Sequence, residues 1–423
     1  MSGAEEWYST TLGDLASRDG SAIQTGPFGS QLHKHDYQDS GVGAVNPTHL
    51  SGNRVIHDFV PRVSPETAAR LDRHRLMAGD LLFARRGEIG RHGLVTKSEE
   101  GWLCGTGCFL VRVRRDDVDN HFLSHAVSTP ETIDWLERHA AGVVMPNLSN
   151  TVLQQLPVRL PPFPEQQKIA GVLGLVQRAM EQQERLIEKT AELKKTLLHQ
   201  LFTRGTRGEP QKQTDLGPVP ESWELLEIGS LGKVVTGSTP KTNDPANYSP
   251  AEIDFIAPAD LGSTKDVTDS EKKISRQGLA SIRALPNKAV MCVCIGSSIG
   301  KVGMTTKESA TNQQINSIVC NESHDPDFIF HQLIYRYDYW RGFATFGTVP
   351  ILNKGRFQTI KLSLPKTRTE EVEIAAALNA LESKLAHHRR KHATLSALFR
   401  TLLHQLMTAQ LRVHDLDLPE LSK

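Results

Sequence analysis

The groups able to do chemistry lie in a few short stretches of the sequence, and in each the spacing argues against a catalytic centre. GSSIGKVG (Gly296 to Gly303) carries glycines and a lysine, as a phosphate-cradling loop would. Such a loop needs four residues between its outer glycines and a hydroxyl after the lysine. Here three residues separate Gly296 from Gly300, and Val302 occupies the hydroxyl position. Asp260, Glu271 and Lys273 imitate the acidic spacing of metal-dependent nucleases, yet TDSEKKIS around the last two is polar and reads as a solvated loop. Cys104 with Cys108, and Cys292 with Cys294, sit in apolar strand-like runs, where cysteine serves as a small buried hydrophobe. With Cys320 the cysteines number five, a sparse set that fits a reducing compartment rather than a disulfide framework or a four-ligand zinc site. The 17 histidines are scattered, with His387, His388 and His392 placed for solvent or a helix seam. There is no Gly-x-Ser-x-Gly elbow, no HExxH, and no Asn/Asp-Pro-Pro-aromatic tetrapeptide; NPTH at Asn46 to His49 is not that motif. No catalytic residue and no metal ligand is expected.

The elements that position these groups come twice. The chain has 423 residues, 23% charged and 38% hydrophobic, which suits several packed domains rather than a disordered or fibrous polymer. TLLHQL occurs at Thr196 to Leu201 and again at Thr401 to Leu406, an offset of 205. VNPTHL from Val45 parallels IAPADL from Ile256, EIGRHGL from Glu88 parallels SIGKVGM from Ser298, and LPVRLP ending at Pro161 parallels IKLSLP ending at Pro365. GVVMPNLSN from Gly142 likewise resembles GTVPILNKG from Gly347, and Trp7 and Trp223 open the two copies. The order never changes, so the chain is a tandem duplication of a unit of about 210 residues. The glycines of GSSIGKVG then match GEIGRHG in the first copy and read as a turn of a repeated fold.

Each copy opens with short apolar runs broken by Gly, Pro, Asn and Asp, the pattern of strands and loops. A proline cluster then gives way to about 40 proline-free residues. In the first, Ile169, Leu173, Val176, Met180, Gln183, Ile187, Thr190, Lys194 and Leu197 alternate spacings of four and three. In the second, Ile374, Leu378, Leu381, Leu385, His388, His392, Leu395, Phe399, Leu402 and Leu406 do the same, which predicts coiled-coil seams. The expected order is a globular domain over 1–163, a helix over 164–205, a Gly- and Pro-rich linker over 206–220, a second domain over 221–366, a helix over 367–412 and a tail over 413–423. A helix of that length spans roughly 60 Å. Burying both seams requires the helices to pair antiparallel, so the expectation is an α+β chain of two α/β domains with pseudo-two-fold symmetry. The N-terminus lacks the basic start and apolar run of a signal peptide, and no stretch approaches 18 apolar residues, so a cytoplasmic, non-membrane protein is expected.

With these features in hand, the whole chain resembles the DNA-specificity subunit of type I restriction-modification systems. The resemblance is carried by TGSTPKTNDPANY (Thr236 to Tyr248) followed by IDFIAPADLG, by GDLLFARRGEIGRHG and AVMCVCIGSSIGKVG, by LPVRLPPFPEQQKIA, and by the long helix after each domain. The first copy departs at TGPFGSQLHKHDY (Thr25 to Tyr37). The resemblance implies two target-recognition domains, each reading half of a bipartite, asymmetric sequence in double-stranded DNA, with the helices as a ruler. It also implies two methyltransferase subunits and restriction subunits as partners. S-adenosylmethionine, ATP and Mg belong to those partners, with no cofactor in this chain. The candidate DNA-binding residues are then Thr48, His49, Arg85, Arg86, Arg91 and His92 in the first domain. In the second they are Ser238, Lys241, Thr242, Ser298, Lys301, Asn312, Gln313 and Lys354, with Gln314 and Arg356 beside them. Arg and Lys suit guanine edges, Asn and Gln adenine edges. Leu197, Leu198, Leu201, Leu402, Leu403 and Leu406, in the near-identical helix ends, are the candidates for binding the same partner twice. The formal net charge is only +1, so weak DNA binding by the isolated chain is expected. A metal-dependent nuclease using Asp260, Glu271 and Lys273, and a coiled-coil scaffold with no DNA role, are the alternatives.

Overall fold

The computed structural model describes residues 7–142, 147–345 and 349–413. Parts of the GVVMPNLSN and GTVPILNKG repeat, and the tail after Val413, lie outside the described residues. The chain divides into two compact units, one of 1–182 with 393–423 and one of 183–392. Each unit therefore holds one globular domain and a segment of both long helices, Phe163–Arg204 and Arg368–Met407.

In the first unit a six-stranded sheet has the order Ala22–Thr25, Cys108–Arg112, Leu81–Ala84, His92–Leu94, Asn53–Val55, Leu50–Ser51. A four-stranded sheet has the order Leu103–Cys104, Val42–Val45, Arg62–Val63, Tyr37–Gln38. Tyr8–Thr11 pairs antiparallel with Pro157–Leu160, bringing the two ends of the domain together. Side chains alternate across a strand, and here both faces are covered. Leu81, Phe83, Phe109 and Val111 enter one core and Leu82, Ala84, Cys108 and Leu110 another. That is why DLLFAR and CFLVRV are continuous apolar runs.

The second unit repeats the plan. Gly232–Thr236, Ile315–Cys320, Val290–Val293, Val302–Thr305 and Asp266–Val267 form the larger sheet, and Lys273–Ile274, Ile253–Ile256, Ser309–Thr311 and Ala284–Leu285 the smaller. Even the minority parallel pairings recur: Asn53–Val55 with His92–Leu94 corresponds to Asp266–Val267 with Val302–Thr305. The cysteines are free; Cys104, Cys108, Cys292 and Cys294 are buried and Cys320 partly so. Among the described residues no three His, Cys, Asp or Glu side chains converge as a metal site, and no helix is long and apolar enough to cross a membrane.

Every seam position read from the spacing is buried or half-buried in its helix. Within the second unit Gln183 meets His388 at 2.9 Å, Glu184 meets His392 at 3.2 Å, and Lys194 pairs with Glu382. Gln183 and Glu184 meet His388 and His392, whereas Lys194, further along the first helix, meets the earlier Glu382 of the second, so the segments run antiparallel. The polar seam positions are thus partnered. Within the first unit Ile169, Val172 and Leu173 share a core with Leu403, Leu406 and Met407.

Three expectations change. The second helix stops at Met407 rather than 412, because Ala409 turns left-handed (φ 57°) and the Leu411 N–H returns to the Gln405 carbonyl at 3.1 Å. The segment read as a linker folds as a hairpin, Gln211–Thr214 with Gly217–Pro220. Its prolines are tolerated because a two-stranded ribbon has only edge strands, and Val219 is fully buried. The leucines assigned to a partner are used inside the chain. Leu198 is buried with Phe202 and Trp223 while Leu197 and Leu201 pack against that core, and Leu403 and Leu406 are buried with Leu402 against theirs. An amphipathic helix end docks on its own domain before it can serve another protein.

Candidate nucleic-acid interface

At one end of each domain's sheets the turns carrying the candidate residues are laced together by main-chain hydrogen bonds. In the first domain Gly26 N–H donates to Cys108 O (2.8 Å), Gly105 N–H to Val45 O (2.9 Å), Arg85 N–H to Gly107 O (2.8 Å) and Leu148 N–H to Arg85 O (2.9 Å). In the second, Gly237 N–H donates to Ile315 O (3.0 Å), Asn312 N–H to Ile256 O (3.2 Å), Cys294 N–H to Gln314 O (2.8 Å) and Leu352 N–H to Cys294 O (2.8 Å). The four bonds correspond one to one. Gly26 and Gly237 must be glycine, because a Cβ would lie 2.1 Å from the Gly105 or Asn312 carbonyl oxygen.

The side chains divide into those that build this rim and those that it displays. Arg91 and Lys301 do the same work: the guanidinium reaches Pro47 O (3.5 Å) and the ammonium Pro258 O (3.2 Å). Arg91 is also paired with Glu88. His49 is a correction. It is buried, its Nδ1 accepts from Asn46 N–H (3.0 Å), and desolvation lowers its pKa, so it offers neither an edge nor a charge. His92 is another: it is buried with Nδ1 2.9 Å from Gly90 O and Nε2 2.9 Å from Ser124 O, and burial lowers its pKa too. Asn312 has its amide spent on Gln314 in both directions, at 3.0 Å each.

What remains outward is different in the two domains. Thr48 and Arg86 are exposed in the first, with Arg85 half-buried and its Nε 3.3 Å from Asn147 Oδ1. Gln313 and Lys354 are exposed in the second, with Ser238, Ser298 and Lys301 half-buried and Gln313 Oε1 accepting from Thr239 (2.9 Å). Lys241 and Thr242 are exposed further along the loop from Ser238, and Arg356 reaches Phe343 O at 3.5 Å. Exposed apolar groups were missed from sequence: Phe28 and Phe59 in the first domain, Val349 and Ile351 in the second. None of them belongs to a period-two strand or a three-four helix pattern.

The residues of the nuclease alternative do not assemble. Asp260 Oδ2 accepts from Ala257 N–H (2.8 Å) and Oδ1 from Glu271 N–H (3.1 Å), a turn cap. Lys273 is held by Asp254 and Asp269, and the Glu271 side chain is exposed.

The type I restriction modification DNA specificity domain matches residues 5–189 and again 220–397. The MjaX type I restriction enzyme specificity subunit of Methanocaldococcus jannaschii is 24% identical across 97% of this chain and 94% of its own. The HindI specificity subunit of Haemophilus influenzae is 30% identical over 152 residues, 35% of this chain and 33% of its own. The crystal structure of a type I S subunit from M. genitalium shares the fold, with a TM-score of 0.65 and 15% identity over 96% of this chain and 97% of that one. With both repeats matched and the duplicated fold in place, the chain belongs to the type I restriction-modification family as a DNA-specificity subunit.

Proposed function

We propose that each rim reads one half of a bipartite, asymmetric DNA target and that the long helices set the gap between the halves. The observation that carries this is the repeated frame with unlike display: four matching main-chain bonds support Arg86 and Thr48 in one domain and Gln313 and Lys354 in the other. A common frame suits a common ligand, duplex DNA, and different side chains suit different half-sites. Arg86 is suited to a guanine edge and Gln313 to an adenine edge. Arg85, Arg91, Lys241, Lys301 and Lys354 supply charge toward phosphates.

In this reading the chain is not itself an enzyme and works in the cytoplasm. Two methyltransferase subunits dock along its helices, where Leu193 (55% exposed) and Leu398 (44% exposed) occupy the same repeat position and face solvent. S-adenosylmethionine is bound by those subunits, ATP and Mg by the restriction subunits.

Methylome sequencing of cells with and without the gene tests the reading. Two short adenine-containing half-sites at fixed separation are expected to lose methylation on deletion; a contiguous motif, or no change, rejects it. Removing four residues from each long helix takes out about 6 Å and is expected to shorten the gap. An unaltered gap rejects the ruler.

A further inference from the structure

We propose that Phe59 is a wedge that inserts at a base step of the half-site read by the first domain. This rests on the DNA reading above and goes beyond it by naming a contact that is neither charge nor hydrogen bond. Phe59 is 98% exposed and has a φ of 55°. A bulky residue in the left-handed region is a backbone outlier, persisting only where the surroundings over-determine it.

The surroundings do so. Ile56 N–H donates to His49 O (2.7 Å) and Ala44 N–H to Pro61 O (2.9 Å), pinning both ends of the loop. Val60 is buried, and the His57 ring lies 5.1 Å from that of Trp102 and bonds the buried Glu99 carboxylate. Glu99 is itself held by Thr96 N–H and Oγ1, at 2.7 and 2.8 Å. An aromatic ring is therefore lifted into solvent on a braced loop whose root is the rim turn bearing Thr48 and the Pro47 carbonyl that Arg91 reaches.

The matching loop of the second domain is also pinned to its rim turn, Glu271 N–H donating to Asp260 Oδ1 at 3.1 Å where Ile56 N–H donates to His49 O in the first, and it displays a carboxylate there. The bracing is common to both loops and the aromatic is particular to one. The loop is rooted in the turn whose Pro47 carbonyl Arg91 reaches at 3.5 Å, at the rim that displays Thr48, so the ring stands where this domain is read to meet a duplex. Apolar side chains inserted between bases unstack and kink a duplex.

The test uses the chain assembled with its methyltransferase subunits and duplexes carrying the methylated target, substituted with 2-aminopurine one position at a time. The wild-type complex is expected to raise fluorescence at one step of the first half-site. Phe59→Ala is expected to abolish that rise and weaken cognate binding about tenfold or more, with binding to a scrambled duplex unchanged. Phe59→Trp should restore both. Wild-type affinity in Phe59→Ala, an equal loss on scrambled DNA, or no fluorescence rise overturns the wedge while leaving the specificity reading standing. Failure of Phe59→Ala to assemble with the methyltransferase subunits assigns the ring to a protein contact and also overturns it. Absence of sequence-selective binding by the wild-type complex overturns both.

Discussion

His49 and Asp260 occupy the same turn of the two domains and cap it with different chemistry. An imidazole nitrogen accepts from Asn46 N–H in one, a carboxylate oxygen from Ala257 N–H in the other. Sequence comparison sees a substitution there, and only the hydrogen bonds show that the role is kept. Asp260→Ala is expected to destabilise the protein by about 1 kcal/mol, as loss of a cap does, read by denaturant unfolding; no loss would contradict the capping role. His125 and His331 are likewise equivalent and buried, with pKa values lowered to about 3 and about 4, mainly by desolvation. His331 lies 3.0 Å from Asn379 Oδ1, in the field of Lys194, Glu382 and Lys265; His125 packs on Phe399, with His92 and His121 acting on it. Their folded values lie below the ordinary 6.5, so the unfolded chain binds protons first. The stability these histidines contribute is full above pH 6.5 and falls from 6.5 to about 4 for His331 and to about 3 for His125, at up to about 1.4 kcal/mol per pH unit for each. Melting temperatures at pH 7.5 and pH 5 check this, and His331→Gln should flatten the dependence. The cysteines behave similarly: burial pushes the Cys294 and Cys320 thiols up to about 12, so thiol reagents at pH 8 are expected to label the native protein slowly and the denatured protein fully.

The long helices were the most legible elements, because a three-four spacing kept up over tens of residues has few explanations other than a buried seam. Polar seam positions were legible as positions but not as pairs. That Gln183 meets His388 and Lys194 meets Glu382 depends on the register between helices, which no single helix encodes. The leucines of TLLHQL show the opposite case: their conspicuous repetition suggested a partner, yet they are consumed by their own domains. Leu406→Ala is therefore expected to cost about 2–5 kcal/mol of stability. Leu193→Ala, at an exposed position, should change stability by less than about 0.5 kcal/mol while weakening assembly with the methyltransferase subunits in pull-down. Equal effects of the two substitutions on stability would contradict this division. The hairpin after the first helix was unreadable because its Gly and Pro content is that of a linker, and the strand pairing with the burial of Leu216 and Val219 separates the two.

At the scale of the whole molecule, charge is the constraint. Residues 1–163 carry 16 basic against 19 acidic side chains, and residues 221–366 carry 16 against 15. Neutralised phosphates dominate DNA affinity, so the isolated chain is expected to bind duplex weakly and the complex with methyltransferase subunits strongly, with a steep salt dependence. Tight salt-resistant binding by the chain alone would contradict this. The duplication, the alternation of domain and helix, and the absence of catalytic spacing in the motifs were determined by sequence, because periodicity and repetition are one-dimensional properties. Which side chains the two rims display was decided by tertiary structure. His49, His92 and Asn312 have the composition of DNA readers and are spent on the frame, whereas Phe59 has no motif and stands in solvent. Whether a polar group is available depends on which carbonyls and amides lie within 3 Å of it, and those arrive from turns tens of residues away.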